Sequence, residues 1–404
     1  MKSSNRRDFL KKSFLGVSGA ALVPANLSAA FTKGTLKAEI PSLPSRVLGR
    51  TGIKTPLISM GTSGVTNPNF VRAAYDAGIK LFFSATYYGE GNNEKLVGEG
   101  LKGLPRDSYV IGTAAPPEGM DTRSGTFTKE VDVDLYIKKA EESLKRFGLD
   151  FVDIFMFPYA GKREVMLNEN LLKAMQDLKK QGKIRFAGIA THNNVEEALM
   201  AAADSKVYDV VMPAYNYKTQ NKEAMNEALA YAAKAGVGMI AMKTTAGAFR
   251  DKSRTTPLNT DAALKWVLQN ENIASIVSGM SSVEELQKNI AMIRNLKISE
   301  QELKDLNLAG LGTEPSLYCY QCPDCVSQCP QHVDVPTLMR SYMYAYGYRN
   351  LEHAQHTLKQ AVVSGNPCEN CDACRINCVA GFDIKERIQD IARLNDVPKE
   401  FLMV

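Results

Sequence analysis

The sequence predicts an α/β chain: a (β/α)8 barrel followed by a helix-rich, cysteine-bearing module. Three observations carry this. Between Ser45 and about Asn295, eight short apolar, β-branched stretches alternate with amphipathic ones. Glycines close several of the amphipathic stretches, at Gly78, Gly148, Gly182 and Gly236. All 8 cysteines lie in two runs beyond residue 310. A length of 404 residues, 45 % of them hydrophobic, suits a large barrel with an appendage.

The strand candidates, in order, are 56–61, 79–85, 109–115, 151–157, 184–190, 208–214, 237–243 and 273–279. Between them, "VDLYIKKAEESLKRFG" and "NENLLKAMQDLKKQGK" have helical periodicity. In the second, Leu171, Leu172, Met175 and Leu178 share one face and lysines cover the other. Glycine after each helix fits a left-handed C-cap. A doubly wound sheet is the alternative. Eight evenly spaced units and the lack of an early G-x-G-x-x-G disfavour it.

Residues 1–30 read as an export signal. Paired Arg6 and Arg7 precede Phe9, Leu10 and Lys11; an apolar stretch runs from Phe14 to Ala25; Ser28, Ala29 and Ala30 close it. This is a twin-arginine signal shape, and it predicts export of the folded chain by the twin-arginine machinery to the periplasm or cell envelope. Residues 31–44 form a linker, 45–310 the barrel and 311–404 the module. The net charge is +5, and residues 1–30 alone hold +4 of it. The rest is near neutral, so no nucleic-acid partner is expected. No apolar run reaches the ~18 residues of a membrane span.

Chemistry in such barrels sits at the C-terminal strand ends. These ends offer Ser84, Thr86 and Tyr88, then Ala114, Pro158, His192, Tyr215, Asn216, Lys243 and Ser281. A polar group after an apolar strand is placed at the mouth, so His192 in "ATHNN" and Lys243 in "AMKTT" stand out. Taken singly, each is also explained by packing or solvation.

Cys319, Cys322, Cys325 and Cys329 form C-x2-C-x2-C-x3-C before Pro330; Cys368, Cys371, Cys374 and Cys378 repeat it before Val379. This is the two-cluster ferredoxin spacing. Three thiolates two residues apart can wrap one cubane, and the fourth leaves for the partner cluster. One [4Fe–4S] cluster is thus assigned to Cys319, Cys322, Cys325 and Cys378, the other to Cys368, Cys371, Cys374 and Cys329. Neighbouring disulfides would be severely strained, and zinc sites held by four thiolates would normally show CxxC pairs. A three-iron or degenerate second cluster stays open. Between the runs lies a tyrosine-rich helical segment. Tyr342, Tyr344, Tyr346 and Tyr348 are expected to pack the module on the barrel, and His353 and His356 to lie on a surface face.

"VLGRTGIKTPLISMGT", "AGIKLFFSATYYGEGNNEKLVGEGLK", "LKRFGLDFVDIFMFPYAG", "KIRFAGIATHN", "YNYKTQ" and "ALKWVLQNENIASIVSGMSSVEELQKNI" occur in order over residues 45–295. Together they resemble the aldo/keto reductases, in the branch with a C-terminal ferredoxin-type module. The resemblance implies carbonyl reduction by hydride from NAD(P)H, using an Asp, a Tyr proton donor, a Lys that lowers the Tyr pKa, and a His. At those positions stand Phe83, Tyr88, Ala114 and Pro158. Only the Tyr survives. With its ordinary pKa near ~10 it needs a cation to act at neutrality, which His192 or Lys243 could supply.

The resemblance places Ser281, Glu285 and Asn289 at the cofactor segment. Ser281 and Ser282 bring no Arg or Lys for a 2′-phosphate, and Ser282 with Glu285 reads more simply as a capping box. NAD(P)H is therefore not favoured. Two readings follow. One is an oxidoreductase acting on a small polar carbonyl or sugar-like molecule, with Tyr88, His192 and Lys243 handling protons. Its two clusters exchange electrons with a carrier protein or membrane quinol system. The other is a degenerate barrel serving as a binding or docking body.

Overall fold

In the computed structural model, the described residues are 42–121, 125–310, 317–322, 324–361, 363, 365–371 and 374–402. The export signal expected at 1–30 lies outside them, as does the join at 311–316.

Eight parallel strands close a barrel, each hydrogen-bonded to its neighbours in sequence order. They are Ile58–Gly61, Leu81–Phe83, Val110–Ala114, Val152–Phe157, Ile184–Thr191, Val210–Pro213, Gly238–Ala241 and Ile273–Gly279. The last closes on the first, with Ile276 opposite Ile58. Each strand falls within or beside its expected stretch. Alternation along a strand sorts side chains to two faces. In the fourth strand Ile154 and Met156 join the barrel interior with Phe83, Met212 and Ile240. Phe155 and Phe157 face the helices. An antiparallel hairpin, Ser45–Val47 with Lys54–Pro56, lies beside the barrel, and its fully buried Leu48 joins the barrel interior.

The helices start and stop where local chemistry dictates. Asp132 accepts the Leu135 amide at the start of Val133–Phe147, and Gly148 ends that helix at φ 68°. Asn168 caps Glu169–Lys180 in the same way through the Leu171 amide.

The module contributes three helices of eight or more residues, Val335–Tyr342, Leu351–Gln360 and Ile384–Ala392. A π-helical turn, Met343–Gly347, follows the first. The module shares one compact unit with the barrel. Its apolar core takes in Tyr217, Ala246, Ala262 and Ala263 from the barrel side. Tyr342 and Tyr344 belong to the core shared with the barrel, and Tyr346 and Tyr348 pack against it; the Tyr342 and Tyr346 rings also meet at a tilt, 4.5 Å between ring centres. His353 and His356 depart from expectation. They turn into the seam over the barrel mouth, His356 stacking on Tyr87 at 5.4 Å. Their spacing fixes that they share a helix face, but only the docking decides what that face meets.

A close backbone approach in the seam is at Gly347, where a Cβ would lie 2.6 Å from the Gly247 carbonyl oxygen. Gly347→Ala should therefore cost about 1–3 kcal/mol, the range of overpacking. Gly279→Ala, whose added Cβ meets nothing within 4 Å, should lie within about 0.5 kcal/mol of the parent. Urea unfolding of the two variants checks this; equal stability would show that the seam is not tightly packed there.

Candidate active site and cysteine cavities

The barrel mouth is built from strand ends below and the module above. Phe83 is buried, its ring pressed on the third strand so tightly that a Cβ on Gly112 would lie 2.3 Å from Phe83 Cδ2. Ala114 and Pro158 are buried as well. Three of the positions where the family resemblance implies polar catalytic groups are thus apolar packing here. Tyr88 stays at the mouth, edge-on to Tyr87 at 5.1 Å and to His353 at 5.1 Å. Burial pushes its phenol well above its ordinary range, and nearby Tyr344 and Tyr159 add to this. Alone, it is a weaker acid than free tyrosine.

Lys243 follows the seventh strand in a left-handed conformation, φ 58°, a strained one for a residue with a Cβ. The Asn216 side-chain amide holds it there by donating to its carbonyl at 3.1 Å. Its Nζ donates to the Tyr344 hydroxyl at 2.6 Å and lies 4.2 Å from the centre of that ring. Burial is the main cause that lowers its pKa to about 8; Tyr348 opposes the shift and Arg340 adds to it. Tyr344 packs on His353 at 4.2 Å. Tyr88, His353, Tyr344 and Lys243 therefore form one connected set, with module side chains in the middle.

His192 enters the same set electrostatically. Burial, then the charges of Arg340 and Lys243, hold its pKa well below the usual histidine range. It is neutral at pH 7, and its Nδ1 is buried with no hydrogen-bond partner. Tyr159, also left-handed at φ 64°, accepts from Gln360 Nε2 at 2.6 Å. Of the three expected residues, Tyr88 and Lys243 are joined through His353 and Tyr344, and His192 is tied to Lys243 only electrostatically. The sequence reading missed Arg340, Tyr344 and His353, which the module adds. Their only local signal was polar and aromatic residues in an otherwise apolar helical segment.

Ser281, Glu285 and Asn289 do not join this set by any contact. Glu285 Oε2 accepts from the Ser281 amide at 2.7 Å and its hydroxyl at 3.1 Å. The Glu285 amide donates to Ser282 Oγ at 3.2 Å. Asn289 is buried, its Nδ2 3.5 Å from Ser278 Oγ. This is a helix start with a reciprocal cap, and the Glu285 carboxylate is already engaged.

The cysteines surround two cavities. One is lined by Cys319, Cys322, Cys325 and Cys378, with Met339 and Ile384. The other is lined by Cys329, Cys368, Cys371 and Cys374, with Ile376 and Lys385. Each run keeps three cysteines in its own cavity and sends the fourth to the other. None of the eight cysteines is in a disulfide. Among the described residues no group of His, Cys, Asp or Glu is arranged to hold a metal ion; the thiols line the two cavities. The Gln321 amide points at Cys319 Sγ, 3.4 Å away. Burial pushes the Cys319 and Cys325 thiols up to about 12 and Cys368 to about 11, so as bare thiols they are unreactive.

Tyr318, next to Cys319, is buried and within electrostatic reach of Tyr348. Tyr348 accepts the Gly247 amide at 3.0 Å and lies 6.3 Å from Tyr344. The second cavity reaches the surface at Cys374, which is exposed.

Residues 62–261 match the Aldo/keto reductase family. The chain is 29 % identical over 312 residues to the L-galactose dehydrogenase of Arabidopsis thaliana, covering 67 % of this chain and 94 % of that protein. It is 27 % identical over 218 residues to the D-threo-aldose 1-dehydrogenase of a Pseudomonas species, covering 47 % and 66 %. Its fold superposes on an aldo-keto reductase from Bacillus halodurans in the holo form, with a TM-score of 0.54 at 18 % identity, over 66 % of this chain and 96 % of that one. A closed eight-stranded parallel barrel, the ordered motifs and the family match over residues 62–261 agree: this chain is similar to the aldo/keto reductases.

Proposed function

We propose that the chain is an exported oxidoreductase of aldo/keto reductase type. It acts at the barrel mouth on a small polar carbonyl or sugar-like substrate, with electrons supplied through two [4Fe–4S] clusters in the module. The observation that carries this reading is the exchange of cysteines: Cys378 lines the cavity of the first run and Cys329 that of the second. Two-cluster ferredoxins require that exchange, and disulfides or separate zinc sites do not. Sugar and aldose substrates in the names of the relatives point to the same substrate class.

Bound clusters would supply electrons singly. Reduction of C=O to CH–OH takes two electrons and two protons, so the counterpart is a one-electron carrier protein or a quinol pool of the envelope. The exposed side of the module at Cys374 suits contact with such a carrier. At the mouth, the Lys243 ammonium and the phenols of Tyr344 and Tyr88 are the groups able to hold or deliver protons. NAD(P)H is not assigned the donor role, because the Glu285 carboxylate is committed to its cap. A second reading, the barrel as a binding or docking body, is favoured by one observation: Tyr344 and His353 fill the space between Tyr88 and Lys243.

Anaerobically reconstituted protein should carry about eight iron and about eight labile sulfide per chain. The exchange makes a sharper expectation. Cys319→Ser with Cys378→Ser should remove about half the iron, while Cys374→Ser with Cys378→Ser should remove nearly all. Iron analysis and spin resonance of the reduced protein read both. Colourless, iron-free protein sinks the cluster reading. Holoprotein that turns over no aldose or aldehyde with either reduced methyl viologen or NADPH leaves the docking body as the function.

A further inference from the structure

Between the first two cysteines of the first run, Gln321 adopts a left-handed conformation, φ 61°, which a residue with a Cβ rarely takes. It is buried, 7 % exposed. In this conformation its backbone amide donates to Cys319 Sγ at 3.4 Å. Cys319 lines the first cavity, with Cys322, Cys325 and Cys378.

Both ends of the Gln321 side chain are held. Nε2 donates to the Pro336 carbonyl at 2.9 Å, and Oε1 accepts from Arg340 Nη1 at 2.8 Å. Arg340 Nη2 donates to Thr337 Oγ1 at 3.1 Å. The Thr337 amide donates to Asp334 Oδ1 at 3.1 Å, so a buried guanidinium and a buried carboxylate meet on one threonine. Asp334 caps the helix Val335–Tyr342, and Pro336, Thr337 and Arg340 lie on it. Strained backbone persists where its surroundings over-determine it, and here a single helix supplies them.

The second run offers a comparison within the chain. Asn370 stands two residues after Cys368, as Gln321 stands two after Cys319. Asn370 is exposed and not left-handed. Among the described residues its amide makes no hydrogen bond to a sulfur, whereas that of Gln321 does. One spacing therefore gives a clamped donor in the first run and an unclamped position in the second.

Hydrogen bonds to the sulfurs help to set the potential of an iron–sulfur cluster. An N–H aimed at a thiolate favours the more negative, reduced state. We propose that Gln321 is a positioning residue: clamped by Arg340 and Pro336, it keeps its amide on Cys319 Sγ and raises the reduction potential of the first cluster but not of the second. This rests on the two-cluster reading above. Ile384 lines both cavities, so they share a wall. The clamp biases an electron that enters beside the exposed Cys374 toward the first cavity. It works against Lys385, a cation in the wall of the second cavity, whose Nζ donates to the Cys371 carbonyl.

The test is a redox titration, read by spin resonance, of the full, anaerobically reconstituted protein. Gln321→Gly keeps every charge and suits a left-handed backbone, but cuts both clamp bonds. It should lower the reduction equilibrium constant of one cluster threefold or more, about 28 mV or more at about 59 mV per tenfold for one electron, and shift the other by less than that. The same substitution in a Cys368→Ser, Cys371→Ser background, where only the first cluster remains, should move the one remaining step. Asn370→Gly should move neither step. Arg340→Lys keeps the charge but not the planar fork that reaches Gln321 and Thr337 together, and it should lower the same step as Gln321→Gly. If Gln321→Gly does not take up iron, Arg340→Lys decides. Iron-free wild-type protein removes the cluster reading and this proposal with it. Iron-loaded wild type whose first cluster is unmoved or raised by Gln321→Gly, or whose two clusters move together, overturns this proposal alone.

Discussion

A parallel barrel has one end that must be either solvated or covered, and here the cover is part of the same chain. The contact on which the rest depends is Lys243 Nζ to the Tyr344 hydroxyl, 2.6 Å apart across 101 residues of sequence. It joins the seventh strand to the π-helical turn of the module. Around it the two parts share an apolar core, in which Ala246, Ala262 and Ala263 pack with Leu338, Tyr342 and Met343. Small residues on the barrel side let the module come close, and the Gly247–Gly347 approach sets how close. The mouth is consequently a buried seam, and burial rather than any single charge is the main cause of the shifts at Tyr88, His192 and Lys243.

Much of this was legible in the sequence, and the part that was not has a physical reason. Strands and caps are local. An apolar β-branched run pairs wherever it is placed, and Gly148 ends its helix because a left-handed residue without Cβ costs little there. The cysteine pairing was also readable, since thiols two residues apart can surround one cavity while the fourth cannot reach it. Lys243 and His192 could be picked out because strand ends define the mouth. Arg340, His353 and Tyr344 could not. Their surroundings come from docking the module on the barrel, which no periodicity records. His353 and His356 have the spacing of a solvated helix face, yet that face meets Tyr88 and Tyr87.

The altered catalytic positions acquire a different meaning in this setting. Phe83, Ala114 and Pro158 stand where the family resemblance would place a carboxylate, a cation and an imidazole, at the ends of the second, third and fourth strands. The structure restores a cation and an imidazole elsewhere: Lys243 follows the seventh strand and His192 the fifth. A barrel that kept the ancestral arrangement could pair its Lys with its Asp. This one cannot, and its lysine leans on a phenol that the module provides.

That dependence argues against treating barrel and module as a catalyst with a detachable carrier. Without the module, Lys243 would keep its left-handed backbone and the support of Asn216 but lose its hydrogen-bond partner. The two helices that carry Arg340 and His353 belong to the same cluster that holds Cys325 and Cys329. Filling the cysteine cavities would therefore fix the helices that shape the mouth. Under the proposed function, filling those cavities and shaping the mouth would be one folding event.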